Sequence, residues 1–211
     1  MISVYLNFSE LSSWLMLAPL QKLCEKVPVD LMWKPMLSSL GNIAGSNLKT
    51  GQADPLVSYK SRRADARQRA AKREDERMCE RLGINPEQGK RKIAPVYLSL
   101  GMVWMTDQSA GQQECFSFAK TAFLKTFRDG ADVESLSGLQ VVMEESGFRT
   151  EGLAHFLESQ APDLDAIRQD AVDNGVFNSP AFVIEGEVFH GREHLPLIQW
   201  MLQGRQGVPP V

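Results

Sequence analysis

The segment from Ser179 to Phe189 constrains this chain more than any other. Ser179-Pro180 is followed by the apolar run Ala181-Phe182-Val183-Ile184, then by Glu185-Gly186, then by Glu187-Val188-Phe189. Two short β-prone runs separated by a two-residue turn ending in glycine read as a β-hairpin. Its entry is a proline, which donates no amide hydrogen bond and therefore suits the start of a strand. His190-Gly191 ends the hairpin, and Glu193 to Leu202 has the spacing of a last amphipathic helix before a Gly- and Pro-rich tail.

At the other end, Ile2 to Phe8 alternates as a strand would, and Ser9-Glu10 leads into Leu11-Ser12-Ser13-Trp14-Leu15, a helix start. That helix is expected to run to about Lys26 with Trp14, Leu15, Ala18 and Leu23 against a sheet, and to bend at Pro19. Val29 to Trp33 follows Pro28 and stops at Lys34-Pro35, so it is read as a second strand. The N-terminal part is thus a βαβ unit.

Between these ends the pattern is helical. Gly41 to Pro55 has loop composition, and Tyr59 to Leu82 is a long charged helix stopping at Gly83-Ile84-Asn85-Pro86. Its basic run from Lys60 to Arg73 alternates with Asp65, Glu74, Asp75 and Glu76, which marks a solvated face. Phe116, Ala119, Phe123 and Phe127 recur at helical spacing and are assigned to the core. Leu136 to Glu145, Gly152 to Glu158 and Asp163 to Asn174 give three further helices, the last closed by Gly175. The expected division is a body formed by 1–40 and 175–211, with 41–174 inserted as a helical subdomain.

A formal charge of -3 supplies no basic field for a polyanion, so nucleic acid is not expected as a partner. No run reaches the ~20 apolar residues of a membrane span, and Met1 to Leu6 lacks the features of a secretory signal. A cytoplasmic protein acting on small molecules is expected. Cys24, Cys79 and Cys115 fit neither a disulfide framework nor a Cys-x-x-Cys pair, and are read as small buried apolar residues. His155, His190 and His194 form no ligand set.

Gly175-Val176-Phe177-Asn178-Ser179-Pro180-Ala181-Phe182-Val183-Ile184-Glu185-Gly186-Glu187 closely resembles the signature of the 2-hydroxychromene-2-carboxylate isomerases and kappa-class glutathione transferases. Asn7-Phe8-Ser9-Glu10-Leu11-Ser12-Ser13-Trp14-Leu15 is similar to that family's opening Asp-x-x-Ser-Pro-Tyr-Ser-Trp-Leu, and Trp33-Lys34-Pro35 to its second-strand element. The resemblance implies an α/β thioredoxin-like fold with a large helical insertion between its βαβ and ββα halves. It also implies a cis peptide bond at Ser179-Pro180, a homodimer, and glutathione as cofactor.

The departures bear on chemistry. The family's catalytic serine falls on Glu10, and the position of a second redox cysteine falls on Ser13, so no dithiol cycle is expected. The closing Gly-x-Asp-Arg, which helps hold the γ-glutamyl end, is Gly191-Arg192-Glu193-His194. On the first reading, glutathione binds through Ser179, Pro180, Arg192, Glu193 and His194, and Ser9, Ser12 or Ser13 replaces the missing donor to its thiolate. The reaction is then isomerisation or conjugation of a small aromatic or electrophilic substrate. On the second, Glu10 is a general base in proton transfer, or the domain binds a different ligand without catalysis.

Overall fold

The computed structural model describes residues 1–37, 55–83, 85, 87 and 91–210. The strands are β1 (Ile2–Leu6), β2 (Leu31–Pro35), β3 (Ala181–Ile184) and β4 (Glu187–His190). They form one sheet in the order β2-β1-β3-β4. β1 runs parallel to β2, with Val4 opposite Trp33, and antiparallel to β3, with Val4 opposite Phe182. A helix, α1 (Leu11–Lys26), makes the crossover between the two parallel strands. The hairpin turn has Glu185 at φ 52° and Gly186 at φ 81°. Positive φ at both central positions matches the twist of the flanking strands.

β1 is central and almost wholly buried, as a strand covered on both faces must be. Its end is earlier than the expected Phe8, because Asn7 leaves the ladder to build the turn into α1. β2 is shifted by two residues from the expected Val29 to Trp33: Asp30 accepts the amide of Ile2, and the ladder continues until the Met36 amide donates to Leu6. α1 passes through Pro19 without ending. Ala18 is exposed rather than facing the sheet; the buried set is Ser13, Trp14, Leu15, Met16, Leu17, Leu20 and Leu23.

The insertion consists of α2 (Pro55–Leu82), α3 (Val96–Asp107), α4 (Gln112–Phe123), a π-helical segment (Leu124–Asp129), α5 (Leu136–Glu145), α6 (Leu153–Ser159) and α7 (Leu164–Asp173). Residues 41–54 of the expected loop lie outside the described residues. α2 stops at Gly83, φ 69°, a left-handed conformation that glycine adopts without a Cβ penalty. The helix expected from Phe116 to Phe127 begins earlier, at Gln112, where Glu114 accepts the Gly111 amide at 2.6 Å. It ends as the π-helical segment, closed by Gly130 at φ 65°. A 3-10 turn (Arg192–His194) and α8 (Leu195–Leu202) replace the single terminal helix expected from Glu193.

A single apolar cluster spans the sheet and the insertion. It includes Ile2, Val4 and Leu6 of β1, Met16 and Leu20 of α1, Met102 of α3, Phe118 and Phe123 of α4, and Leu139 and Met143 of α5. On the opposite face of the sheet, Tyr5 and Ala181 are covered by Ala171 of α7 and by Val176. Among the described residues, no helix is long and apolar enough to cross a membrane.

Candidate functional site

The site is assembled where β1 hands over to α1. Asn7 is fully buried, and its Oδ1 accepts the Ser9 amide at 2.9 Å and the Ser9 hydroxyl at 2.7 Å. This is the side-chain-to-backbone turn that an asparagine offers after a strand. Its carbonyl accepts the Glu10 amide at 3.1 Å, while its own amide donates to Ser13 Oγ at 3.0 Å. Glu10 thereby stands at the N-cap of α1 in an extended conformation, yet its carboxylate makes no capping bond to the helix.

That carboxylate reaches across the fold instead. Oε1 accepts from Asn7 Nδ2 at 3.1 Å, and Oε2 accepts from Ser179 Oγ at 2.5 Å. The Ser179-Pro180 peptide bond is cis, as the resemblance implied. Ser12 Oγ donates to the Ser179 carbonyl at 3.2 Å, and Ser13 Oγ to Ser179 Oγ at 3.4 Å. The Pro180 carbonyl accepts the Gly191 amide at 2.7 Å, tying the loop to the end of β4. Burial pushes the Glu10 carboxyl above its ordinary pKa, and hydrogen bonds from Ser179, Asn7 and Ser12 pull it partly back.

Six of the residues singled out in the sequence therefore meet here: Ser9, Glu10, Ser12, Ser13, Ser179 and Pro180. Arg192, Glu193 and His194 belong to the turn after β4 instead. The Arg192 guanidinium is held by α2, with Nη1 3.2 Å from Asp75 Oδ1 and Nη2 3.3 Å from Glu74 Oε1. It is thus already neutralised by two carboxylates. Glu193 is exposed and folds over Gly191, whose φ of 96° and missing Cβ make room for it. His194 lies 5.7 Å from the Phe189 ring, and His190 stacks 4.0 Å from Phe177. Burial, then the nearby His194, lowers the His190 pKa.

Asn7 is the organising residue that sequence reasoning left out of the site. Its signal was present: a buried-strand pattern that ends in asparagine two residues before a serine and four before a helix start. Ser13 depends on it directly. Ser13→Ala removes the acceptor of a buried amide, and is expected to cost about 1–3 kcal/mol in urea unfolding.

The cysteines take no part. Cys79 and Cys115 are buried, Cys24 is half-buried, and none is in a disulfide. Burial pushes all three thiols up, Cys115 to about 11, so the reactive thiolate is scarce at neutral pH. With Ellman's reagent, Cys79 and Cys115 are expected to stay unreacted in the native protein, and all three thiols to titrate after unfolding. Among the described residues, no group of three or more His, Cys, Asp or Glu side chains could hold a metal ion.

No protein-family model matches this chain, and no curated protein matches it. Solved structures do. A 2-hydroxychromene-2-carboxylate isomerase aligns with a TM-score of 0.62 at 18% identity, over 98% of this chain and 94% of that one. A probable DsbA oxidoreductase from Streptomyces coelicolor aligns with a TM-score of 0.65 at 12% identity, over 100% of this chain and 92% of that one. Identities this low speak for the fold: over essentially its whole length the chain has the thioredoxin-like fold, helical insertion included, of the isomerase and DsbA-like structures.

Proposed function

We propose that this protein is an isomerase that moves a proton within a small carbonyl-containing substrate, with Glu10 as the general base. One observation carries the reading: the Glu10 carboxylate stands at a helix end without capping it, half-buried, with a raised pKa and hydrogen bonds from Ser179 and Asn7. A carboxylate poised by burial above its ordinary pKa is matched to taking up and returning a proton near neutral pH. Glu10 removes a proton from a carbon next to the carbonyl and delivers it to another atom of the same molecule, so no oxidant is required. The oxyanion formed meanwhile is stabilised by the amides at the positive end of α1.

Glutathione fits this arrangement less well. A thiolate next to Glu10 would face a like charge. The hydroxyls that could receive it already donate elsewhere, Ser9 to Asn7, Ser12 to the Ser179 carbonyl, Ser13 to Ser179 and Ser179 to Glu10. The cofactor is therefore not needed for the proposed step.

The test is proton NMR in D2O on a panel of unsaturated and hydroxy-substituted aromatic carbonyl compounds. Isomerisation, or wash-out of a C–H proton, that depends on the native protein is the expected result. No such exchange with any member, together with calorimetric binding of reduced glutathione by the native protein, overturns the reading in favour of a thiol-dependent reaction.

A further inference from the structure

A cavity of about 570 Å³ opens between β2, the C-terminal half of α3 and α7, and no residue of the Glu10 cluster lines it. Its volume is that of a small-molecule site. Leu31, Met32, Trp33, Lys34 and Pro35 all border it. Successive strand residues point to opposite faces, so a void reached by all five lies at the strand's outer edge. Among the described residues, the sheet order leaves that edge without a neighbouring strand. Ile2 donates to Asp30 and Met36 donates to Leu6, which fixes the parity of the ladder. Even-numbered residues of β2 turn their main-chain groups toward β1, and Leu31 and Trp33 turn theirs outward.

Besides Thr106, Asp107, Gln112 and Asp170, the lining carries the cation Lys34. Trp33 is 3% exposed, and its indole N–H, enclosed and without an acceptor among the described residues, sits behind the wall of the cavity as a reporter of what fills it. Lys34 Nζ donates to Asp170 Oδ1 at 2.7 Å, and Tyr5 donates to Asp170 Oδ2 at 2.8 Å. Both Asp170 oxygens are therefore occupied, while an ammonium group has two further N–H bonds to give. The remaining acid of the lining, Asp107, is exposed at the end of α3. Around these groups the wall is apolar, including Val103, Ala166 and Ile167.

We infer that this cavity binds a small hydrophobic monocarboxylate, with its acid group on Lys34 and its apolar body along the β2 edge between Val103 and Ile167. The site is separate from Glu10 and does not depend on the function proposed above.

The probes are octanoate and its uncharged analogue 1-octanol, titrated calorimetrically and by the Trp33 indole N–H resonance, assigned with Trp33→Phe. Octanoate is expected to bind with a Kd below about 1 mM, to shift that resonance, and to bind roughly tenfold more tightly than octanol. Lys34→Met should erase the preference for the acid, and Ala166→Trp, at an exposed helix position, should abolish binding of both. Glu10→Gln should change neither. Absence of saturable octanoate binding overturns the inference, as does equal affinity for octanol, or binding that survives Ala166→Trp in a folded variant.

Discussion

Replacing Glu10 by glutamine is expected to slow the proposed proton transfer by about a hundred- to ten-thousand-fold, the usual contribution of a positioned general base. Glutamine keeps the shape of the side chain and can still accept the Ser179 hydroxyl, so loss of rate without loss of fold isolates the proton-transfer role. pH gives a second readout. In the native protein the rate should rise with pH as the Glu10 carboxyl ionises through its raised pKa. Stability should move the other way. Between the ordinary carboxyl range and the raised value, the folded state holds more protons than the unfolded one, so unfolding free energy falls as pH increases. The variant has no such group. Urea unfolding at acid and neutral pH should therefore show it gaining on the native protein as pH rises, and holding a constant advantage above the Glu10 pKa. A variant that instead loses stability at neutral pH would mean that Glu10 is a structural strut.

Phe123→Ala is expected to be the most damaging single truncation of the core, at about 3–5 kcal/mol. Phe123 is fully buried. Its ring lies 5.3 Å from Phe8, 6.1 Å from Phe127 and 6.4 Å from Trp14. It is the point where the insertion, through α4, grips both the end of β1 and the first turns of α1. Phe8 sits between Asn7 and Ser9, so the same cavity should loosen the turn that presents Glu10. Urea unfolding with an unchanged dependence on denaturant measures the loss. A cost near 1 kcal/mol would mean that the neighbouring rings close the gap.

Much of this architecture was legible because its signals are local. Glu185-Gly186 dictates a tight hairpin whatever surrounds it, and Leu136 to Glu145 was delimited residue for residue by its own periodicity. α3 gave no such signal. Val96 to Asp107 is apolar on nearly every side, with Leu98, Ser99, Leu100, Gly101, Met102, Trp104 and Met105 all buried, and a helix surrounded by protein has no polar face to set a period. The π-helical segment was hidden for a related reason: Phe123 and Phe127 keep helical spacing on either side of its start.

The site divides along the same line. That Glu10 and Ser179 belong to one site was reached through the resemblance, which brings together two segments that nothing local connects; their direct hydrogen bond was not. The pairing of Arg192 with Glu74 and Asp75 joins residues more than a hundred positions apart. Charge pattern along α2 marks those acids only as part of a solvated face, and tertiary contact decides which of them meets a cation.

The sheet order has a consequence for how the chain comes into being. Ser3 is paired with Val183, so the central strand is made well before one of its two neighbours, with the whole insertion in between. At the usual pace of synthesis, roughly 5–20 residues per second, β1 waits about 10–40 s for β3. During that interval the main-chain groups of Ser3 and Tyr5 that will face β3 stand at an open strand edge. β2, α1 and the growing insertion are the shelter at hand, so a nascent chain cut off before the final hairpin should be the form most dependent on chaperones.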